Sequence, residues 1–387
     1  MNKAIATAAF LVGAASLVSA QSWTDITTAF ITAQNITTDY PGGCSGVGVN
    51  RLTGDVYVEI IGNGIWKSSN QGTAWTRIDQ NTVSGRCETG VALTVDQDNP
   101  VRMASFSLDG DCGYTPDGTT WHKWTGMGRN WDFGSVDWGA ANPLVMLAAK
   151  HEDGGKVYKT VDGGVSWTLL NITVNAQSNN NKSMIGVLNA STFVYCTGSG
   201  ILRSTDAGTT WASVSNISAR AKYPILFKGV HYVGTATGLL VSSDLGATWR
   251  IQGGAVEICQ GPFFGADENT MMVVSSQGLH KTTNAGTTWT KVAALTTGCS
   301  GNTFDPLWFG GFSWDPVNNT AYATRMVCPT FKYAFPTTGV KPVEKHKQSG
   351  NIQRKVGMSP NGHLQVGTES GEKFGLTGKR FTNSIRR

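Results

Sequence analysis

One pattern recurs along the chain: Ser or Thr, any residue, Asp or Asn, any residue, Gly, any residue, a small residue, then Trp. Clear copies are SSNQGTAW (68–75), TVDGGVSW (160–167), STDAGTTW (204–211), SSDLGATW (242–249) and TTNAGTTW (282–289); TPDGTTW (115–121) is one residue short. The closing Trp lies at 75, 121, 167, 211, 249 and 289, a period of 38 to 46 residues. A repeat of this length is a supersecondary unit that buries its apolar face only against its neighbours, and the period points to a propeller.

The units read as strands. GVGVNRLTGDVYVEI alternates apolar positions around a Thr-Gly turn, and MIGVLNASTFVYCT and FKGVHYVGTATGLLVSS repeat the plan. Sustained helical periodicity is absent. The expectation is an all-β, seven-bladed β-propeller. Six four-stranded blades fall near 44–78, 86–124, 130–170, 182–214, 222–252 and 258–292, with strand D starting at the repeated Trp. A seventh opens at 309–326, and SWTDIT (22–27) is expected to supply its strand D, closing the ring and removing exposed edges. The seventh blade has no repeat where one is due, near 335–345, so the last blade is expected to be irregular. The domain reading is 1–20 signal peptide, 21–330 propeller, and 331–387 an irregular last blade, a basic tail or an incorrect gene end.

The motif's chemistry is local. Asp or Asn accepts hydrogen bonds from the backbone of a turn, Ser or Thr adds another, and Gly takes the left-handed position. The motif resembles the Asp-box, or BNR repeat, of sialidases, Asp-box xyloglucanases and sortilin-type receptors, over residues 44–292. In those families the box is structural and lies away from the active-site face. The resemblance therefore implies that Asp162, Asp206 and Asp244 are not catalytic.

The first 20 residues read as a secretory signal: Lys3, an apolar run from Ala4 to Val18, and VSA before Gln21. A secreted, extracellular protein is expected, and no later run is long enough to span a membrane. Sequons begin at Asn35, Asn171, Asn181, Asn189, Asn216 and Asn318, and about half of them are expected to carry glycans. Of seven Cys, Cys87 with Cys112 and Cys299 with Cys328 are plausible local disulfides, and no spacing suggests zinc. The net charge of +5 conceals a division: 331–387 carries 11 Lys/Arg and 3 Asp/Glu, the remainder 20 and 23. The basic end reads as a solvated segment rather than a nucleic-acid arm.

Propeller ligands bind around the axis, where D-to-A connections and B-to-C turns converge. The polar residues at those places are the candidates. Before blade 2 stand Arg86 and Glu88; before blade 3, Arg129, Asn130, Trp131 and Asp132; before blade 5, Arg220, Lys222 and Tyr223. After strand B come Asp109 and Asp111 in blade 2, Lys150, His151, Glu152 and Asp153 in blade 3, and Arg325 in blade 7. An Arg-rich, His-containing set suits an anionic substrate such as a uronic acid, whose carboxylate a guanidinium binds in bidentate fashion. The bland readings stand beside this one: Arg86 and Arg129 paired with Glu88 and Asp132, Trp131 and Trp138 packed between blades, and His151 a surface residue. His122 and His280 adjoin the repeats, and His231 reads as structural.

By size, secretion and propeller plan the chain looks like the fungal-type rhamnose–glucuronate lyases, and it is similar in plan to propeller ulvan lyases. The resemblance implies β-elimination at a uronic acid, with His151, Arg129 and Tyr223 catalytic and Arg86, Arg220, Arg325, Trp131 and Lys150 binding substrate. It implies no metal or cofactor, and a monomer acting on an acidic plant or algal polysaccharide or a glycoprotein glycan, without nucleic acid or membrane. Alternatives are a glycoside hydrolase with a carboxylate pair such as Asp109 and Glu152, and a non-catalytic binding propeller. The Arg-Ile-Pro triplet of sialidases is missing: the Arg-Ile pairs here are Arg77-Ile78-Asp79 and Arg250-Ile251-Gln252.

Overall fold

The computed structural model describes residues 21–38, 40, 43–127, 130–172, 184–299 and 304–336, plus three later strands. Up to Val343 the chain forms one unit. Among its described residues are seven four-stranded antiparallel sheets, the blades of a β-propeller. Blade 1 runs Cys44–Asn50, Asp55–Ile60, Gly64–Ser68 and Thr76–Arg77 in order, and the next five blades repeat the meander. A second unit, Glu344–Arg387, contains a three-stranded sheet of Lys355–Met358, Leu364–Gly367 and Lys373–Phe374. One short helix, Thr28–Ala33, precedes blade 1.

Blade 7 explains the missing repeat. Its strands are Gly310–Asp315, Thr320–Arg325 and Phe331–Ala334, and its fourth is the N-terminal Thr24–Asp25, paired with Phe331–Lys332. Strands C and D come from opposite ends of the propeller chain. No C-to-D turn exists there, so no motif is needed to shape one. The pairing closes the ring, and the first strand of blade 1 packs on the first two of blade 7.

Apolar clusters follow the ring. One spans blades 1 to 3 through Ile65, Phe106 and Trp131. Others join blades 3 and 4 (Phe133, Phe193), 4 and 5 (Met184, Val233), 5 and 6 (Phe227, Phe264), 6 and 7 (Met272, Trp314), and 7 and 1 (Tyr322, Val58). Each such fully buried side chain contributes about 2 kcal/mol of transfer free energy. Blades 2 and 7 approach so closely that a Cβ on Gly90 would lie 1.9 Å from the Gly310 carbonyl carbon. Gly90 N donates to Trp308 O (3.0 Å) at this contact.

The repeats form the C-to-D turns. In blade 4 the Ser204 hydroxyl donates to Asp206 Oδ1 (2.7 Å) and accepts from Gly208 N (2.9 Å), while Thr209 N and Thr210 N donate to the same carboxylate oxygen. Ala207 and Gly208 take positive φ, 56° and 90°. Asn70, Asp117, Asp162, Asp244 and Asn284 accept analogous bonds. Hydrogen bonds from Thr210 hold the Asp206 carboxyl down at about 2. A depressed carboxyl stabilises the fold above its unfolded pKa and loses that contribution as pH falls toward 2. Asp206→Ala is expected to lower the melting temperature by a few degrees, as thermal scans would measure.

Cysteine pairing departs from expectation at one place. Cys299 and Cys328 form a disulfide (S–S 2.04 Å). Cys87 and Cys112 do not bridge. The Cys87 thiol donates to Glu59 Oε2 (3.3 Å) and the Cys112 thiol to Ser107 O (3.2 Å), so each sulfur has its own oxygen partner.

Candidate functional site

In a four-stranded meander, A-to-B and C-to-D turns share one face, and B-to-C turns and D-to-A connections share the other. The repeats therefore mark one face. The sequence candidates lie on the other.

On that face blade 3 brings two of the candidates together. Its first strand, Trp131–Val136, pairs with Met146–Lys150 and shifts register between Trp131 and Phe133. The extra residue at this bulge is Asp132. Bulges re-aim side chains, and here Asp132 Oδ1 meets His151 Nδ1 at 2.7 Å. His151 N donates to Asn130 O (2.9 Å), which fastens the B-to-C turn to the strand start. Asn130 and Glu152 flank the pair with φ of 64° and 47°, the left-handed region that non-glycine residues enter at a strain cost. Asp132 is 1% exposed, whereas the His151 side chain is 22% exposed. Glu152, largely in solvent, brings Oε1 to 3.7 Å from His151 Nε2.

Around Asp132 the surroundings oppose each other. Burial pushes its carboxyl up; the His151 contact and the Lys222 ammonium pull it down, and Glu88 adds to the rise. Its second oxygen is buried with no hydrogen-bond partner among the described residues. The neighbouring Thr89 hydroxyl donates to the Asp132 backbone carbonyl (2.6 Å), tying blade 2 to the bulge. A buried carboxylate on Nδ1 fixes the imidazole tautomer and directs the other nitrogen outward, the arrangement of a proton-transfer dyad.

The remaining candidates occupy separate environments on this face. Arg86 is held by Glu88, by Asp109 (3.1 Å) and over the Tyr40 ring. Arg220 pairs with Glu257 of the next connection. Lys150 lies over the ring of Trp131, which is fully buried against Tyr158 and Trp167. Arg325 lies over Phe309. Tyr223 points into the propeller axis, donates to Val91 O (3.3 Å), and burial pushes its phenol up to about 12. Arg129 lies outside the described residues. The structure thus brings His151 to Asp132 and leaves Tyr223 on the axis. Sequence reasoning overlooked Thr89 and Trp308; Trp308 stands just before a first strand, the criterion that selected the others, and the Lys222 ammonium lies 4.6 Å from its ring centre.

Fold and site define a β-propeller with a buried-Asp–His pair on the face opposite its repeated turns. No protein-family model matches the chain, and no curated protein matches it. Among solved structures it is similar to a GH74 enzyme of Niastella koreensis, at 15% identity and a TM-score of 0.48, covering 94% of this chain and 62% of that one. It is also similar to YCF48 from Cyanidioschyzon merolae (10% identity, TM-score 0.41, 81% and 99% covered). A third is an ancestral GH74 enzyme (16% identity, TM-score 0.42, 90% and 54% covered). This chain thus spans 62% of the Niastella chain's length. Likenesses this distant leave the function to be argued from the site's own residues.

Proposed function

We propose that this protein is a secreted carbohydrate-active enzyme that cleaves an acidic glycan by β-elimination at a uronic acid. The observation that carries the reading is the Asp132–His151 contact of 2.7 Å with only the imidazole reaching solvent. His151 Nε2 takes the proton at C5 of the uronate. The electron pair left behind forms the C4–C5 double bond, the C4–O bond breaks, and the leaving oxygen is protonated. The imidazolium returns the proton when both groups lie on one side of the ring. Negative charge growing on the substrate carboxylate calls for a cation, and Arg129, next to Asn130 in sequence, is assigned that part. Extracellular placement is supported by the Cys299–Cys328 disulfide.

The hydrolase reading has less support. Asp109, one member of the carboxylate pair considered for it, is already engaged by Arg86. The test is incubation with gum arabic, ulvan and a sialoside panel, following reducing ends and ultraviolet absorbance together. New ends with the chromophore of an unsaturated uronate are expected. New ends without it would make the enzyme a hydrolase, and no product from any glycan would remove the enzymatic reading for these substrates.

A further inference from the structure

A narrow, partly open cavity runs along the propeller axis and is lined from all seven blades. On the His151 face, contacts reach across the axis. Tyr223 of blade 5 bonds Val91 O on blade 2, and the Lys222 ammonium lies near Trp308 of blade 7 and Phe133 of blade 3. On the face of the repeated turns, Arg51 of blade 1 donates to Gln97 O (2.5 Å) and Gly265 O (3.0 Å), closing the sector toward blades 2 and 6. At that same end, exposed Gly139 and half-buried Trp138 line the cavity.

Two polar side chains of the lining are left incomplete. Gln260, 4% exposed, donates through Nε2 to Pro306 O (2.7 Å) and Gly310 O, which fixes its amide orientation and leaves Oε1 without a partner among the described residues. His231, 3% exposed, has no partner on Nδ1 among the described residues. Burial lowers His231 to about 4, so its ring is neutral at physiological pH. Among the described residues the lining contains no carboxylate and one cation, Lys222, which belongs to the end nearest Asp132. Buried polar atoms without partners are costly, and a ligand or ordered water that completes them recovers the difference. Trp138 and Phe263 are among the cavity's aromatic lining residues, and the Arg102 guanidinium lies 5.5 Å from the Trp138 ring centre.

We propose that the axial channel is a binding site for one neutral pyranose, entered beside Trp138 and Gly139 and separate from the Asp132–His151 pair. Ring hydroxyls satisfy Gln260 and His231, and the apolar faces of the sugar lie on the aromatic walls. A charged sugar is disfavoured, because its carboxylate would leave water for a wall with no guanidinium.

The test is isothermal titration of the full chain with methyl glucoside, L-rhamnose, L-arabinose and D-glucuronate, with soaked crystals as a second readout. One-to-one binding of a neutral sugar is expected, weakened at least tenfold in both Trp138→Ala and His231→Leu and unchanged in His151→Ala. Should either channel variant fail to fold, the wild-type crystal decides: a sugar ring between Trp138 and Phe263 supports the site. A channel holding only water in crystals soaked in every neutral sugar would overturn it, as would neutral-sugar binding abolished by His151→Ala. Glycan cleavage is read separately, so the channel site stands or falls apart from the enzymatic reading.

Discussion

His151→Ala is expected to lower kcat for an acidic glycan by about 10³-fold, the loss that follows when a positioned general base is removed, with KM little changed. Asp132→Asn produces a fall of similar order through a different cause. The amide keeps the shape of the carboxylate but can present its NH₂ to Nδ1, turning the imidazole to the wrong tautomer. Both losses are expected in kcat rather than KM if, as proposed, the dyad acts on the transferring proton. The asparagine variant is expected to stay folded. Burial raises the Asp132 carboxyl above its ordinary range, so the charged form is disfavoured in the fold, and removing that charge leaves stability at neutral pH equal or higher. Steady-state kinetics with thermal scans on the same samples separates the two effects. Turnover within a factor of a few of wild type in either variant would take the dyad out of the reaction.

The second large effect belongs to Glu59, fully buried between blades 1 and 2. Its oxygens accept from the Ser105 hydroxyl (2.6 Å), the Ser107 hydroxyl (3.1 Å) and the Cys87 thiol (3.3 Å). Burial outweighs those bonds and pushes the carboxyl from 4.5 up to about 7. The unfolded chain releases this proton near 4.5 and the folded chain near 7. Stability from this group is therefore complete below about pH 4 and is lost as pH rises through 7. The difference amounts to about 3 kcal/mol at pH 8. Glu59→Gln removes the titration and keeps the hydroxyl partners, which can rotate to suit an amide. Denaturant melts at pH 5 and pH 8 should show wild type losing about 2.5 kcal/mol relative to the variant across that interval. Parallel pH profiles for the two proteins would show that Glu59 is ionised in both states.

The propeller was legible because its turns are written in sequence. Asp206, Ala207 and Gly208 have local hydrogen-bonding and φ requirements that recur wherever a C-to-D turn recurs. The same logic accounts for the gap at blade 7, where the turn is replaced by pairing between distant segments. The candidate face was legible too, since strand order decides which connections converge. The partnership of Asp132 with His151 was not. It depends on a one-residue bulge whose register no periodicity records. Arg86, Arg220 and Tyr223 illustrate the same limit. Each stands at the expected end of a strand, but its direction is set by Glu88, Glu257 or Val91, partners contributed by tertiary packing or by a neighbour in the chain. The Cys87 and Cys112 thiols were placed near each other by spacing; Glu59 and Ser107 determine where each sulfur points.

We propose that a uronate-bearing glycan is processed at Asp132–His151, on the face opposite the repeated turns. A crystal structure of the His151→Ala variant with an acidic oligosaccharide bound tests it most directly, since the variant holds substrate without turning it over. A uronate whose C5 proton points to the vacated imidazole position beside Asp132 is expected. An oligosaccharide seated at the blade rim or on the face of the repeated turns, with the Asp132 side empty, would contradict it.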